Sequence, residues 1–123
     1  MANFDIVPID GFTQTTIEGV LDLEGSTAIL RQIATDAASR RRHLLIDLRD
    51  ATSTGLSYAD IYRLVGMLAD DPDAFSGRIA LLDTFREGFE KVQFFEASAT
   101  EKGFSVRAFL DEDAAVAWLE QAA

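Results

Sequence analysis

The sequence predicts an α/β fold: a mixed five-stranded sheet and about four helices in the order ββαβαβαβα. Three observations carry this. Two short, nearly continuous apolar runs, "HLLIDL" and "GRIALLD", read as strands buried on both faces, as in parallel sheets covered by helices. Segments with helical apolar spacing separate these runs. At the amino end, Asp10-Gly11 stands between two β-prone stretches, where both turn positions tolerate positive φ and favour a hairpin.

The hairpin strands are "NFDIVPI" and "FTQTTIEGVL". Pro8 cannot donate to a ladder, so the first strand belongs at an edge. A helix is expected from about Asp22 to Ser39, where Leu30, Ile33, Ala34 and Ala37 recur at i, i+3, i+4 and i+7. Gly25 weakens its first turn. Arg40-Arg41-Arg42 follow at its carboxyl end, where cations suit the negative end of the dipole; the run is also a candidate anion or partner patch. After "HLLIDL", Ser57 and Asp60 make an S-x-x-D capping pattern, and Ile61, Leu64, Val65 and Leu68 form the buried stripe of a second helix. Asp70, Asp71 and Pro72 end it. "GRIALLD" is the next buried strand. A third helix is expected from about Phe85 to Lys102, stopped by Gly103 in a left-handed terminator. "FSVRAFL" alternates as a final strand. Asp111-Glu112-Asp113 then supplies a cap and an acidic first turn to a closing helix with Ala115, Trp118 and Leu119 inward. Strands joined through a helix are parallel with right-handed crossovers. The sheet is therefore an edge hairpin followed by three β-α-β units, and the sequence leaves open whether helices cover one face or both.

A length of 123 residues fits one domain, residues 1–123. A chain of this size buries roughly two-thirds of its unfolded surface, enough for a core without staples. With no cysteine there is no disulfide, no thiolate nucleophile and no zinc knuckle, which fits a reducing cytosol. The net charge of −10 argues against duplex DNA or an anionic membrane as main partner, because binding a polyanion needs clustered Lys and Arg. A basic protein partner is compatible with it. "MANFDIVPID" has no basic segment followed by an apolar run, so no signal peptide is expected and the location is read as cytoplasmic. No apolar stretch approaches the ~20 residues of a membrane span.

In an open parallel sheet, ligands sit beyond the carboxyl ends of the strands. Asp47, Asp50, Ser53 and Thr54 should gather there, with Asp83, Thr84 and Arg86 from the next strand and Asp111 from the last. Asp47 and Asp83 together would suit a hard cation such as magnesium, giving a metal-dependent enzyme. The bland alternative is that these carboxylates cap loops through backbone hydrogen bonds. His43, the one histidine, stands at a strand start on the opposite edge and reads as solvated, with no nucleophile beside it. No phosphate-cradling glycine motif occurs. No catalytic residue, resident metal or cofactor is assigned. In "FREGFEKVQFFEASATEK", Phe85, Gly88, Phe89, Val92, Phe95, Glu96 and Ala99 share one helical face. Phe94 falls on the polar side, as an exposed residue, a dimer or partner contact, or a lid over an apolar ligand.

The full order, with "LLIDLR", a Ser/Thr-Gly-Leu loop, "IALL" and "GFSVRAFLDEDAAVAWL", resembles the STAS-like family. The likeness is strongest to its SpoIIAA-like branch of small bacterial proteins, often grouped with the CRAL-TRIO lipid-carrier fold. In the anti-sigma-factor antagonists of that family, a D-S-S-G-L-like element at a helix start carries a serine phosphorylated by a partner kinase. Here Ser53, Thr54, Gly55 and Leu56 match the S-S-G-L positions, and Thr52 replaces the leading aspartate. The resemblance implies Ser53 or Thr54 as phospho-acceptor, with the phosphate near the amino end of the Ser57 helix. The same residues also read as turn formers, with Ser57 committed to capping. Three functions are expected in order. The first is a non-catalytic protein-interaction module under phosphorylation control, with a homodimer resting on Phe94. The second is a carrier or sensor of a small apolar ligand such as a lipid, held near Tyr58, Tyr62, Phe85 and Phe89. The third is the metal-dependent enzyme. Asp47, Asp50, Ser57, Tyr58, Tyr62, Asp83, Phe85, Arg86, Phe89 and Phe94 are the candidate ligand or partner surface.

Overall fold

β-Branched and aromatic residues dominate the first 22 positions, and they form two strands, β1 (Asn3–Ile9) and β2 (Phe12–Asp22). The structure, a computed structural model, describes residues 2–36 and 39–121. The chain continues through α1 (Leu23–Thr35), β3 (Leu44–Gly55), α2 (Tyr58–Asp70), β4 (Ile79–Leu82), α3 (Phe89–Glu101), β5 (Val106–Phe109) and α4 (Glu112–Glu120). The five-stranded mixed sheet and the four helices follow the expected order. Gly11 takes a positive φ of 91° in the hairpin turn, and Ile9 pairs with Phe12 across it. β1 is an edge strand, as Pro8 requires.

The sheet order is β1-β2-β3-β4-β5, antiparallel in the first pair and parallel in the rest. Each crossover steps one strand in the same direction. Connections of one hand then fall on one face. Ile33 of α1, Val65 of α2 and Val92 of α3 accordingly join Leu44, Ile46, Ile79, Leu81 and Val106 in one core. Alternate strand residues point the other way. Leu45, Ala80 and Leu82 meet Ala115 and Leu119 of α4, with Phe12. Three helices thus cover one face and α4 the other, which is why the β3 and β4 runs are apolar at successive positions.

β2 and β3, of 11 and 12 residues, run well beyond the four-residue β4 and β5. This corrects the expected end of the third strand. The Ser/Thr cluster is not a loop: Thr52 pairs with Val20 and Gly55 with Asp22, with register shifts at which β3 carries an extra residue. Thr suits a strand, and β2 supplies a partner long enough to hold it. Gly55 is required there, since a Cβ would lie 2.6 Å from the Leu21 carbonyl oxygen.

The helix ends also differ. α1 stops at Thr35, with the Asp36 N–H bonded to the Gln32 carbonyl. Ala37, expected on its apolar face, lies outside the described residues. The three arginines are therefore past the helix rather than at its end. Arg40 grips Asp71 and Asp73 after α2, Arg41 pairs with Asp73, and Arg42 reaches the Ile9 carbonyl. α3 begins at Phe89, four residues later than expected, because Gly88 precedes it with φ 97°. α2 matches the expectation. Ser57 Oγ accepts from the Asp60 N–H and the Asp60 carboxylate accepts from the Ser57 N–H, both at 3.0 Å. Ile61, Leu64, Val65 and Leu68 are all buried. Gly103 (φ 96°) ends α3, and Asp111 caps α4.

Candidate functional site

The parallel strands β2 to β5 end at one edge, and the residues that follow each strand form the site. Asp47 and Asp83 are both buried there, but strand alternation separates them. Asp47 shares the parity of Leu45 and points with it toward the α4 side. Asp83 shares the parity of Ile79 and Leu81 and lines a cavity on the three-helix side. Asp47 still acts on Asp83 through its charge, which helps to raise the Asp83 pKa. Among the described residues, no group of three His, Asp or Glu side chains converges as a metal site.

Each carboxylate has its own arginine. Asp47 accepts from the Arg49 backbone N–H at 3.1 Å and from its guanidinium at 2.8 and 3.0 Å. Arg49 also reaches Glu112 in the first turn of α4 at 2.9 Å. Burial pushes the Asp47 carboxyl up, but the Arg49 hydrogen bonds outweigh it and hold the group below the ordinary carboxylate range. The balance is opposite at Asp83. Burial raises it, and the Thr84 N–H and Arg86 only partly compensate, so its pKa stays above the ordinary value. Arg86 donates to Asp83 at 2.9 Å and to the carbonyls of Leu48 and Ala51. It ties the segment after β4 to the side of β3. Lys91, in the first turn of α3, donates to the carbonyls of Ser53 and Leu56.

Those two cations place the hydroxyl strip. Ser53 is half-buried, with its Oγ so near Gly88 that a Cβ on Gly88 would stand 2.8 Å away. Its hydroxyl thus stands beside Gly88, the residue before α3. Thr52 and Thr54 are exposed on the other side of the strand, their hydroxyls 3.4 Å apart. A polar pocket of about 180 Å³ joins Thr52, Ser53 and Thr54 to Arg86, Glu87 and Lys91. Asp50 is exposed and pairs in register with Glu18.

The aromatic candidates scatter. Phe85 precedes α3 and is 84% exposed, so it does not join the helical face expected for it; Phe89 is buried and 6.2 Å from it, ring to ring. Phe94 lies edge-on to Tyr58 at 5.2 Å. That contact explains the out-of-phase position within one chain, so Phe94 no longer argues for a dimer. Tyr62 is exposed, with the Lys102 ammonium 5.1 Å over its ring. Tyr58, Tyr62, Phe85 and Phe89 do not border the apolar cavity of about 110 Å³ between the three helices and the sheet. His43, expected to be solvated, is half-buried. Its Nδ1 accepts from the Arg78 N–H at 2.9 Å, and burial with the charges of Arg78 and Arg42 lowers its pKa.

Sequence reasoning missed Arg49, Lys91, Val20 and Leu110. Arg49 was findable, since it stands two residues from Asp47 and so on the same strand face. Val20 is exposed near the carboxyl end of β2 and Leu110 just after β5, as Tyr58 is after β3 and Phe85 after β4. Their association depends on which strands are neighbours, and no local signal contains that.

The sequence matches no family model and no curated protein. Solved structures do match along nearly the whole chain. An uncharacterized protein of the DUF3478 family with a SpoIIAA-like fold, from Shewanella loihica PV-4, superposes with a TM-score of 0.61 at 16% identity, covering 96% of this chain and 93% of that one. An anti-sigma factor antagonist from Mycobacterium paratuberculosis superposes with a TM-score of 0.65 at 13% identity, covering 98% and 95%. The chain has the SpoIIAA-like fold.

Proposed function

We propose that this SpoIIAA-like fold serves as a single, non-catalytic regulatory domain in the bacterial cytoplasm, docking a protein partner through the carboxyl edge of its sheet. One observation carries the reading. Val20, Tyr58, Phe85 and Leu110, four exposed large apolar residues, all follow or end neighbouring strands at that edge. An apolar row of this kind beside polar hydroxyls fits a recognition surface. The acids at the same edge, Asp47 and Asp83, are held by arginines, which suits a structural role. No described helix is long and apolar enough to cross a membrane. The likeness in fold to an anti-sigma factor antagonist supports a regulatory role.

Phosphorylation control belongs to this proposal. Thr54 is the better acceptor, being exposed, whereas Gly88 shields Ser53. Adding a dianion to the docking strip next to Glu87 and Glu90 would weaken contact through desolvation and like-charge repulsion. The test is a photo-crosslinking amino acid at position 85, with position 120 as control, in cells of the native host. Glu120 ends α4 near Trp118, whose carbonyl receives Arg78 at the amino end of β4, so it marks the far edge. One partner should be trapped from position 85 and not from 120, and Thr54→Glu should reduce the yield several-fold. Equal labelling from both positions, or turnover of a small molecule that Asp83→Asn abolishes, would overturn the proposal.

A further inference from the structure

Beneath the docking edge, two cavities meet. The inner one, of about 110 Å³, lies between α1, α2, α3 and the sheet, with Leu30, Ile46, Leu64, Val92 and Phe95 in its wall. The outer one, of about 180 Å³, is polar. Thr52, Ser53, Asp83 and Lys91 border both, so the two share a mouth. Glu87 and Glu90 border the outer one alone. A molecule spanning the mouth would meet apolar walls first, then a lysine and a hydroxyl, then two carboxylates. These polar groups are short of partners. Lys91 Nζ has three N–H donors. Two go to the Ser53 and Leu56 carbonyls, and no carboxylate pairs with it among the described residues. Ser53 Oγ makes no hydrogen bond to a described residue and is not sealed off as the Ser26 and Thr15 hydroxyls are. Glu87 and Glu90 are exposed and pair with no described cation; Glu90 accepts the Gly88 N–H. The other two charges answer each other, since Arg86 holds Asp83 at 2.9 Å. We propose that the joined cavities bind a free α-amino acid with an apolar, leucine-like side chain, its carboxylate on Lys91 and Ser53, its ammonium toward Glu87 and Glu90, and its side chain in the inner cavity.

Size sets the side chain. An engineered apolar cavity of about 150 Å³ takes up benzene, and drug-sized pockets begin near 300 Å³. The inner cavity therefore suits about four carbons and excludes an indole or a lipid acyl chain. Charge sets the head. The ammonium of Lys91 is half-buried, and carbonyl dipoles solvate it without cancelling its charge. A carboxylate beside it would gain a charge-assisted hydrogen bond, with Ser53 Oγ as a second donor. A simple carboxylic acid would then leave Glu87 and Glu90 facing a third negative charge. A simple amine would meet Lys91 with nothing to offer it. A zwitterion satisfies both signs. Its two charged groups hang on the carbon that carries the side chain, so both stand at the mouth when the side chain is buried.

Purified protein tests this without any docking partner, so the two readings stand or fall separately. Isotope-labelled protein is titrated with leucine and with its two half-molecules, 4-methylpentanoate and 3-methylbutylamine, and methyl and amide shifts are followed by NMR. The Leu64 and Val92 methyls and the Gly88 amide should shift saturably with leucine, and each half-molecule should bind at least tenfold more weakly. Affinity should rise at least tenfold from alanine to leucine, as apolar carbons are added, and tryptophan should not bind. Lys91→Met should weaken leucine at least tenfold and leave 3-methylbutylamine unchanged. Glu87→Gln combined with Glu90→Gln, both at exposed positions that the core does not need, should weaken leucine several-fold and leave 4-methylpentanoate no weaker. Absence of saturable shifts with leucine, as for cavities that hold water only, would overturn the proposal. So would equal binding of either half-molecule, or undiminished leucine binding in the double glutamine variant. An equal loss of leucine and 3-methylbutylamine in Lys91→Met would also overturn it, since a lysine that only ties α3 to β3 would act on both alike.

Discussion

Asp83 and Asp47 show how environment divides two like side chains. Asp83 is held above its ordinary pKa, chiefly by burial. A carboxyl with a raised folded pKa binds its proton more tightly in the native state, so its contribution is favourable in acid and declines as pH rises from about 4 through the folded value. Asp47 is depressed, and its contribution is present above about 4 and lost as pH falls through its folded value. Asp83→Asn should therefore gain stability relative to the wild type as pH rises above about 4, whereas Asp47→Asn should be less stable than the wild type by a constant amount above about pH 4, the difference closing only as pH falls below that. Urea unfolding at several pH values measures both slopes; a flat difference for Asp83→Asn would contradict the burial argument.

At the level of elements, termini decide where the site residues stand. The Ser57–Asp60 box fixes the start of α2, and Ser57→Ala should cost about 1 kcal/mol in chemical denaturation. Gly88 fixes the start of α3 and turns Phe85 out of the helix. Gly88→Ala should cost about 1–2 kcal/mol for its left-handed φ, with an added clash against Ser53 Oγ. Ser53→Ala removes only the clash. A double-mutant cycle should return a coupling of about 0.5–1 kcal/mol between the two sites, and zero coupling would mean that Ser53 and Gly88 do not touch. The box was legible in four consecutive residues. Gly88 was not, because the Phe spacing continues smoothly through it and only a strand packed alongside makes the glycine necessary.

Across the whole molecule, 21 acidic residues face 11 basic ones. Self-repulsion of this excess opposes the compact state, while the surface ion pairs that salt also screens contribute little. The melting temperature should rise by several degrees between 50 and 500 mM sodium chloride; a fall would show that the Arg40–Asp71 and Arg41–Asp73 pairs outweigh the net charge.

The sequence by itself determined the element order, the edge hairpin, the capped α2 and the buried stripes. Each of these rests on spacing within a few residues: period two or continuous apolarity for strands, three and four for helices, Asp-Gly for the turn. Only the tertiary structure decided that three helices share one face, that β3 extends through the Ser/Thr strip, that Asp47 and Asp83 point apart, and that Val20, Tyr58, Phe85 and Leu110 stand on one edge. Those outcomes depend on which strand lies beside which and on the parity of their pairing. Contacts between residues tens of positions apart set both, and no local pattern records them.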